Sequence, residues 1–193
     1  MDYLLYNLDT IQAAPEDIQL LDAHELEQYT KRGDKYLITR VLLKKELARR
    51  SGTPAHEISF DYNEHGKPSW ANQQFNISHS ASWLCLAFHS AEIGVDIQQI
   101  RPVRKMDSIA PRIMNPQQLE YFHTNGSTVE DFFTCWCIAE ALVKLHGATI
   151  WEACNYPYFY KQGRVMLPEN MAEIGIQLFS PAPGFCGAIA TRS

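Results

Sequence analysis

VEDFFTCWCIAEALVKLH, residues 129–146, contains no proline or glycine and is closed by Gly147, so it reads as a long helix with a glycine stop. Phe132, Phe133, Ile138, Ala139, Ala141, Leu142 and Val143 make it apolar nearly all round. Trp136, Glu140 and Lys144 stand at i, i+4 and i+8, on one stripe. A Glu-then-Lys pair at that spacing can be an ordinary helix-stabilising contact worth about 0.2–0.5 kcal/mol. On a helix this apolar, the two charges are better placed facing a cleft than facing bulk water.

Upstream, a second long helix of the same kind runs from Lys35 to about Arg50. It has apolar positions at Leu37, Val41 and Leu43 to Leu47, and ends at SGTP, residues 51–54. Each long helix is followed by short strands: 58–62, 75–78, 83–89 and 93–97 after the first, and 156–160, 164–167, 174–179 and 185–191 after the second. A strand at 3–8 and a short helix at 17–29 precede the first long helix. Helical segments at about 106–123 and a polar turn HTNGST, 123–128, precede the second. The repeated order predicts an α+β fold of two halves, 1–101 and 102–193, although no sequence motif repeats.

The composition narrows the function classes. With 193 residues, 17 basic and 22 acidic side chains and a net charge of −5, the chain has no broad basic surface for nucleic acid. The basic residues concentrate between Lys31 and Arg50, where a solvated helix face is the simpler reading. Five cysteines, an odd and scattered set, do not form a secreted disulfide framework, and Cys135 and Cys137 point to different faces of one helix. No segment has the length of a membrane span and the N-terminus has no leader pattern. A cytoplasmic, reduced protein is expected.

Asp96 and Gln98 in GVDIQ, 94–98, face one side of a strand, an oxygen-rich edge whose alternatives are a salt bridge or a metal site. FNISHS, 75–80, offers the short donors Asn76, Ser78, His79 and Ser80, suited to an anion or to a hairpin turn. HGKP, 65–68, is either a turn with one exposed lysine or a loop that offers Lys67 to a phosphate.

Taken in order, GKP, FNISHS, GVDIQ and F-x-x-W-x-x-x-E-A-x-x-K-x-x-G from Phe133 to Gly147 resemble the 4′-phosphopantetheinyl transferases of the longer, surfactin-synthetase-activating type. A looser match runs through DKYLITRVLLK, 34–44. The resemblance implies two similar α+β halves with pseudo-twofold symmetry, each a long helix on a small, mainly antiparallel sheet. It implies coenzyme A as co-substrate in the cleft between them, Mg²⁺ (with Mn²⁺ as the alternative) on the pyrophosphate, and transfer to a serine of an apo acyl or peptidyl carrier protein by a monomer. By the same resemblance Asp96, Glu140 and Gln98 are the metal ligands, and Glu140 and Lys144 the catalytic pair. Lys35, Lys67, Pro68, Ser78, His79 and Asp96 are coenzyme A contacts. Two positions depart from the family pattern: Gln98 replaces an acid, and Ala139 replaces a lysine that would meet the pyrophosphate. A non-catalytic binder of coenzyme A or carrier protein, with a degenerate metal site, is the competing expectation.

Overall fold

The computed structural model describes residues 1–125 and 128–193. The first half contains β1 (Asp2–Asn7), α1 (Ala23–Arg32), the long α2 (Asp34–Ser51), a hairpin of β2 (Asp61–Tyr62) and β3 (Pro68–Ser69), β4 (Gln74–Ser80) and β5 (Trp83–His89). The second contains β6 (Ile93–Gln99), α3 (Met106–Ile109), α4 (Pro116–Thr124), the long α5 (Val129–Leu145), a hairpin of β7 (Phe159–Lys161) and β8 (Arg164–Met166), β9 (Ile174–Phe179) and β10 (Phe185–Arg192). The sheets are ordered β1-β5-β4 and β6-β10-β9, with antiparallel pairing throughout. Each half is therefore a long helix with a small antiparallel sheet, as expected, and in each the first strand hydrogen-bonds to the last.

That pairing moves the boundary between the halves. A division at residue 101 puts β6 in the first half, yet β6 pairs with β10 from Ile93↔Thr191 to Gln99↔Phe185. The break falls at residues 90–92, and the strand carrying Asp96 opens the second half. Periodicity shows that a strand exists but not which strand it meets.

One helix differs from expectation because a cap interrupts it. The single helix expected at 17–29 is a 3-10 turn at Pro15–Leu20 followed by α1. Asp22 starts α1 by accepting from the Glu25 N–H at 2.8 Å, while the Glu25 carboxylate accepts from the Asp22 N–H at 3.1 Å. The helical segments expected at about 106–123 are α3 and α4, the second started by Asn115, whose side chain accepts from the Gln118 N–H at 3.0 Å ahead of Pro116. Of the HTNGST turn, Gly126 and Ser127 lie outside the described residues. Among those described, no helix is long and apolar enough to cross a membrane.

Packing then positions the site. Ile38, Leu43 and Leu47 of α2 share a core with Phe75, Leu84, Leu86 and Phe88, and α5 buries Ile138 and Leu142 in a core that includes Ala188 and Ala190. Helix α5 lies almost on the backbone of β6: a Cβ on Gly94 would sit 2.0 Å from the Ala141 carbonyl oxygen and 2.4 Å from the Leu145 nitrogen. Gly94 and Asp96 face the same side of their strand. The close approach that Gly94 permits therefore brings α5 to Asp96.

The two sheets meet along β4 and β6 without a backbone ladder. Instead, Asn76 Oδ1, Ser78 Oγ and Ser80 Oγ accept from the N–H groups of Val95 (3.0 Å), Ile97 (3.1 Å) and Gln99 (2.9 Å). Alternate side chains of β4 thus stand in for carbonyls of a neighbouring strand. This is the role FNISHS takes here, and it satisfies buried amides that would otherwise be costly.

Candidate active site

Asp96 is 2% exposed at the centre of the seam. Its Oδ1 accepts from Ser78 Oγ at 2.8 Å and from the Lys144 ammonium at 2.7 Å, and its Oδ2 accepts from the Gln98 amide at 3.0 Å. Lys144 also donates to the Val95 carbonyl at 3.1 Å. Burial alone would lower the lysine pKa, but the Asp96 and Glu140 carboxylates outweigh it and hold the ammonium above its ordinary value. Lys144 therefore stays charged across the physiological range.

Glu140 stands one helical turn before Lys144, and its carboxylate makes no hydrogen bond or ion pair with another described side chain, since the Lys144 ammonium turns to Asp96 instead. Burial raises its carboxyl above the usual range, Lys144 opposes the shift, and Asp96 adds to it. The site thus holds one carboxylate fully engaged, one carboxylate free, and a cation between them.

These groups open onto a cavity of about 740 Å³ lined by Lys35, Pro68, Ser78, His79, Asp96, Gln98, Glu140 and Lys144. An adjoining cavity of about 350 Å³ shares Pro68, Glu140 and Lys144 and adds Lys67. The residues that the resemblance assigns to metal, coenzyme A or catalysis therefore line these two adjoining cavities, though not in equivalent states. Lys35 is exposed and paired with Asp9 at 3.1 Å. His79 is exposed. Ser78 is buried and engaged with Asp96 and the Ile97 amide. Lys67 donates to the Lys144 carbonyl, and Asn63 Nδ2 to the Gly147 carbonyl at 3.3 Å, so the HGKP loop of one half caps the C-terminus of α5 in the other. Ala139 is 1% exposed in the core, where it contributes packing and not charge.

The cap can be weighed directly. Lys67→Met is expected to lower unfolding free energy by about 1–2 kcal/mol in urea titrations, since a helix-end carbonyl loses its charged donor. An unchanged midpoint would mean the cap contributes nothing.

Tyr36, Thr39 and Arg40 also line the larger cavity, although the sequence alone pointed to a solvated face for the charges of this helix. With Lys35 they fall at i, i+1, i+4 and i+5 of α2 and so share one face, but ten of the eighteen residues of this helix are polar or charged, and that spacing does not set them apart.

The donor set suits a hard divalent cation. No cluster of three or more His, Cys, Asp and Glu side chains converges among the described residues, so there is no complete protein cage. Mg²⁺ needs none when a substrate brings phosphate oxygens: one or two carboxylates and water complete its shell. The free carboxylate of Glu140 beside Asp96 meets that requirement.

Residues 7–91 match the family described as the 4′-phosphopantetheinyl transferase N-terminal domain, and residues 92–156 match the 4′-phosphopantetheinyl transferase superfamily. The two matches adjoin where the backbone pairing breaks between the halves. This chain belongs to the 4′-phosphopantetheinyl transferases. It is 27% identical over 165 residues to the 4′-phosphopantetheinyl transferase psf-1 of Bacillus pumilus, covering 81% of this chain and 70% of that one. It is 26% identical over 168 residues to the 4′-phosphopantetheinyl transferase Sfp of Bacillus subtilis, covering 79% and 71%. The match to a putative 4′-phosphopantetheinyl transferase of Haemophilus influenzae is 27% identical over 109 residues and spans 46% of that protein. At the level of the family, the transferase uses coenzyme A and modifies carrier proteins.

Proposed function

We propose that this transferase moves 4′-phosphopantetheine from coenzyme A to a serine hydroxyl of an apo acyl or peptidyl carrier protein and releases adenosine 3′,5′-bisphosphate. The observation that supports it is the convergence of Asp96 on β6 with Glu140 and Lys144 on α5, at one cleft between the halves. The serine oxygen forms a bond to the β-phosphorus, the bridging P–O bond breaks, and the electron pair leaves with the bisphosphate. The Glu140 carboxylate, whose basicity burial increases, accepts the serine proton. The Lys144 ammonium, fixed by Asp96 and the Val95 carbonyl, offers preorganised positive charge to the phosphoryl oxygens. Asp96 and Glu140, with the Gln98 amide oxygen, would hold Mg²⁺, which when bound supplies charge neutralisation at the diphosphate. One chain provides every one of these groups, so a monomer suffices.

The test is intact mass of a panel of apo carrier proteins incubated with coenzyme A, Mg²⁺ and the protein. Each competent carrier gains one phosphopantetheine; a panel that gains none overturns the reading. One observation favours the alternative of a non-catalytic coenzyme A or carrier-protein binder. Lys144, Ser78 and Gln98 already occupy both oxygens of Asp96, so a cation must compete for them. Calorimetry in which coenzyme A binds equally well with and without Mg²⁺, together with no transfer, selects that alternative.

Glu140→Gln is expected to lower transfer by about 10²- to 10³-fold, the scale of losing a general base. In metal-free buffer its stability should go the other way. The folded-state pKa of Glu140 lies above the unfolded one, so the folded protein binds the extra proton. Stability is then lost as pH rises from the ordinary glutamate value through the raised one. The glutamine variant lacks this loss and should melt above the parent at neutral pH. A lower melting temperature would contradict the raised pKa.

A further inference from the structure

Cys137 on α5 and Cys186 on β10 face each other inside the second half, with their sulfurs 3.6 Å apart. Cys137 is fully buried, and its Sγ lies equally close to the Cys186 carbonyl oxygen, at 3.6 Å. Cys186 is half-buried, so a small reagent reaches the pair from its side. The other three cysteines are placed differently. Cys85 and Cys135 are fully buried, and Cys154 is exposed with its Sγ 3.9 Å from the Arg112 carbonyl oxygen. Two thiols in van der Waals contact, one of them accessible, are the starting arrangement for thiol–disulfide exchange.

The backbone around Cys186 gives the sulfurs room to close. A disulfide needs about 2.0 Å between them, so they must approach by about 1.6 Å. Helix α5 is held against β6 at Gly94 and has little freedom to move. Strand β10, in contrast, pairs with β9 only from Gly187 onward, so Cys186 is flanked by β6 alone. The start of β10 is therefore the part that yields. Its register partner is Gln98, whose amide holds Asp96 Oδ2 at 3.0 Å. Cys137 in turn shares a side of α5 with Glu140, three positions on. Closing the bond thus acts on the candidate active site from behind, through both elements that carry it.

We propose that Cys137 and Cys186 form a reversible redox-modification site, closed by a small-molecule disulfide of the glutathione class. The Cys186 sulfur attacks one sulfur of the reagent, whose S–S bond breaks and releases a first glutathione thiol. The Cys137 sulfur then attacks the Cys186 sulfur of the mixed disulfide, the protein S–S bond forms, and a second glutathione leaves. Both cysteine protons end on the two glutathiones; the cysteines lose two electrons and the reagent gains them. The site rests on the sulfur geometry, and its effect on transfer rests also on the proposed function. The closed form is expected to transfer about 10- to 100-fold more slowly, the scale for a displacement of about 1 Å near reacting groups.

The test incubates the full chain with oxidised glutathione and maps its peptides by mass without reduction. A peptide pair joined through Cys137 and Cys186, and separated by dithiothreitol, is the expected result. A parent that yields no joined pair overturns the site, whether Cys186 stays reduced or keeps its glutathione. Cys137→Ala should stop at glutathione on Cys186. Should that variant fail to melt cooperatively, Cys186→Ser decides the path: it should leave Cys137 unmodified, and glutathione on Cys137 there overturns entry through Cys186. Initial rates of transfer, taken after glutathione is removed and again after dithiothreitol, read the coupling. Coenzyme A carries a thiol of its own, so the joined fraction is checked by mass when each rate is taken. An oxidised parent as fast as the reduced one, or a Cys186→Ser protein slowed equally by the oxidant, overturns the coupling. If the parent modifies no carrier protein in either state, the proposed function fails, and the joined peptides still decide the site.

Discussion

The Asp96→Ala protein is expected to lose at least about three orders of magnitude in transfer and, at the same time, about 3–5 kcal/mol of stability. The two losses have separate causes. Transfer falls because the carboxylate that fixes Lys144 and completes the cation site is gone. Stability falls because the Lys144 ammonium, the Ser78 hydroxyl and the Gln98 amide all lose their acceptor in the seam between the halves. Asp96→Asn separates them. Its carbonyl can still accept from Ser78 and Lys144, so most of the stability should return while transfer stays low. Carrier-protein mass shifts give the first quantity and urea titration the second. An Asp96→Asn protein with parent-like transfer would remove the carboxylate from the mechanism.

Gly94→Ala is expected to be the most damaging glycine-to-alanine change among the described glycines. The added carbon would lie 2.0 Å from the Ala141 oxygen and 2.4 Å from the Leu145 nitrogen, and both neighbours are helix backbone that cannot rotate aside. Relief requires α5 to move off β6. Overpacking commonly costs about 1–3 kcal/mol when side chains can adjust, and this site should reach or exceed the top of that range because none can. Any protein that still folds should have Glu140 and Lys144 displaced from Asp96, and so transfer poorly even below its melting temperature. Thermal unfolding followed by circular dichroism checks the first part; a melting temperature within about 2 °C of the parent would show that the helix yields easily.

The residues of the site were legible in the sequence to different depths. Glu140 and Lys144 stood out, because two charges at i and i+4 on a helix apolar nearly all round must share whatever polar space that helix faces. Asp96 could be seen on a strand between apolar neighbours, but its partner Lys144 lies 48 positions away and no local period reports such a pair. Ser78 was visible as a donor, while its second task, accepting from the Ile97 amide, depends on an edge-to-edge contact that exists only in three dimensions. Arg40 was hidden by its company: among eight basic residues between 31 and 50 nothing local distinguishes a buried guanidinium from a solvated one.

The pairing of β6 with β10 also bears on how the protein is made. The first sheet is complete once β5 has been synthesised, because β1, β4 and β5 all lie within the first 89 residues. The second sheet waits for β10, since Ile93 pairs with Thr191, and closing so long a stretch of chain is entropically slow. A nascent chain on the ribosome can thus mature its first half as a unit while β6 still lacks its backbone partner. Before β10 emerges, the Asp96 strand has the side chains of β4 and the packing of α5 against it but no backbone ladder, so the acidic centre lacks its full support until the chain is nearly complete. A translation product cut off before Phe185 should accumulate a folded first half with no working centre.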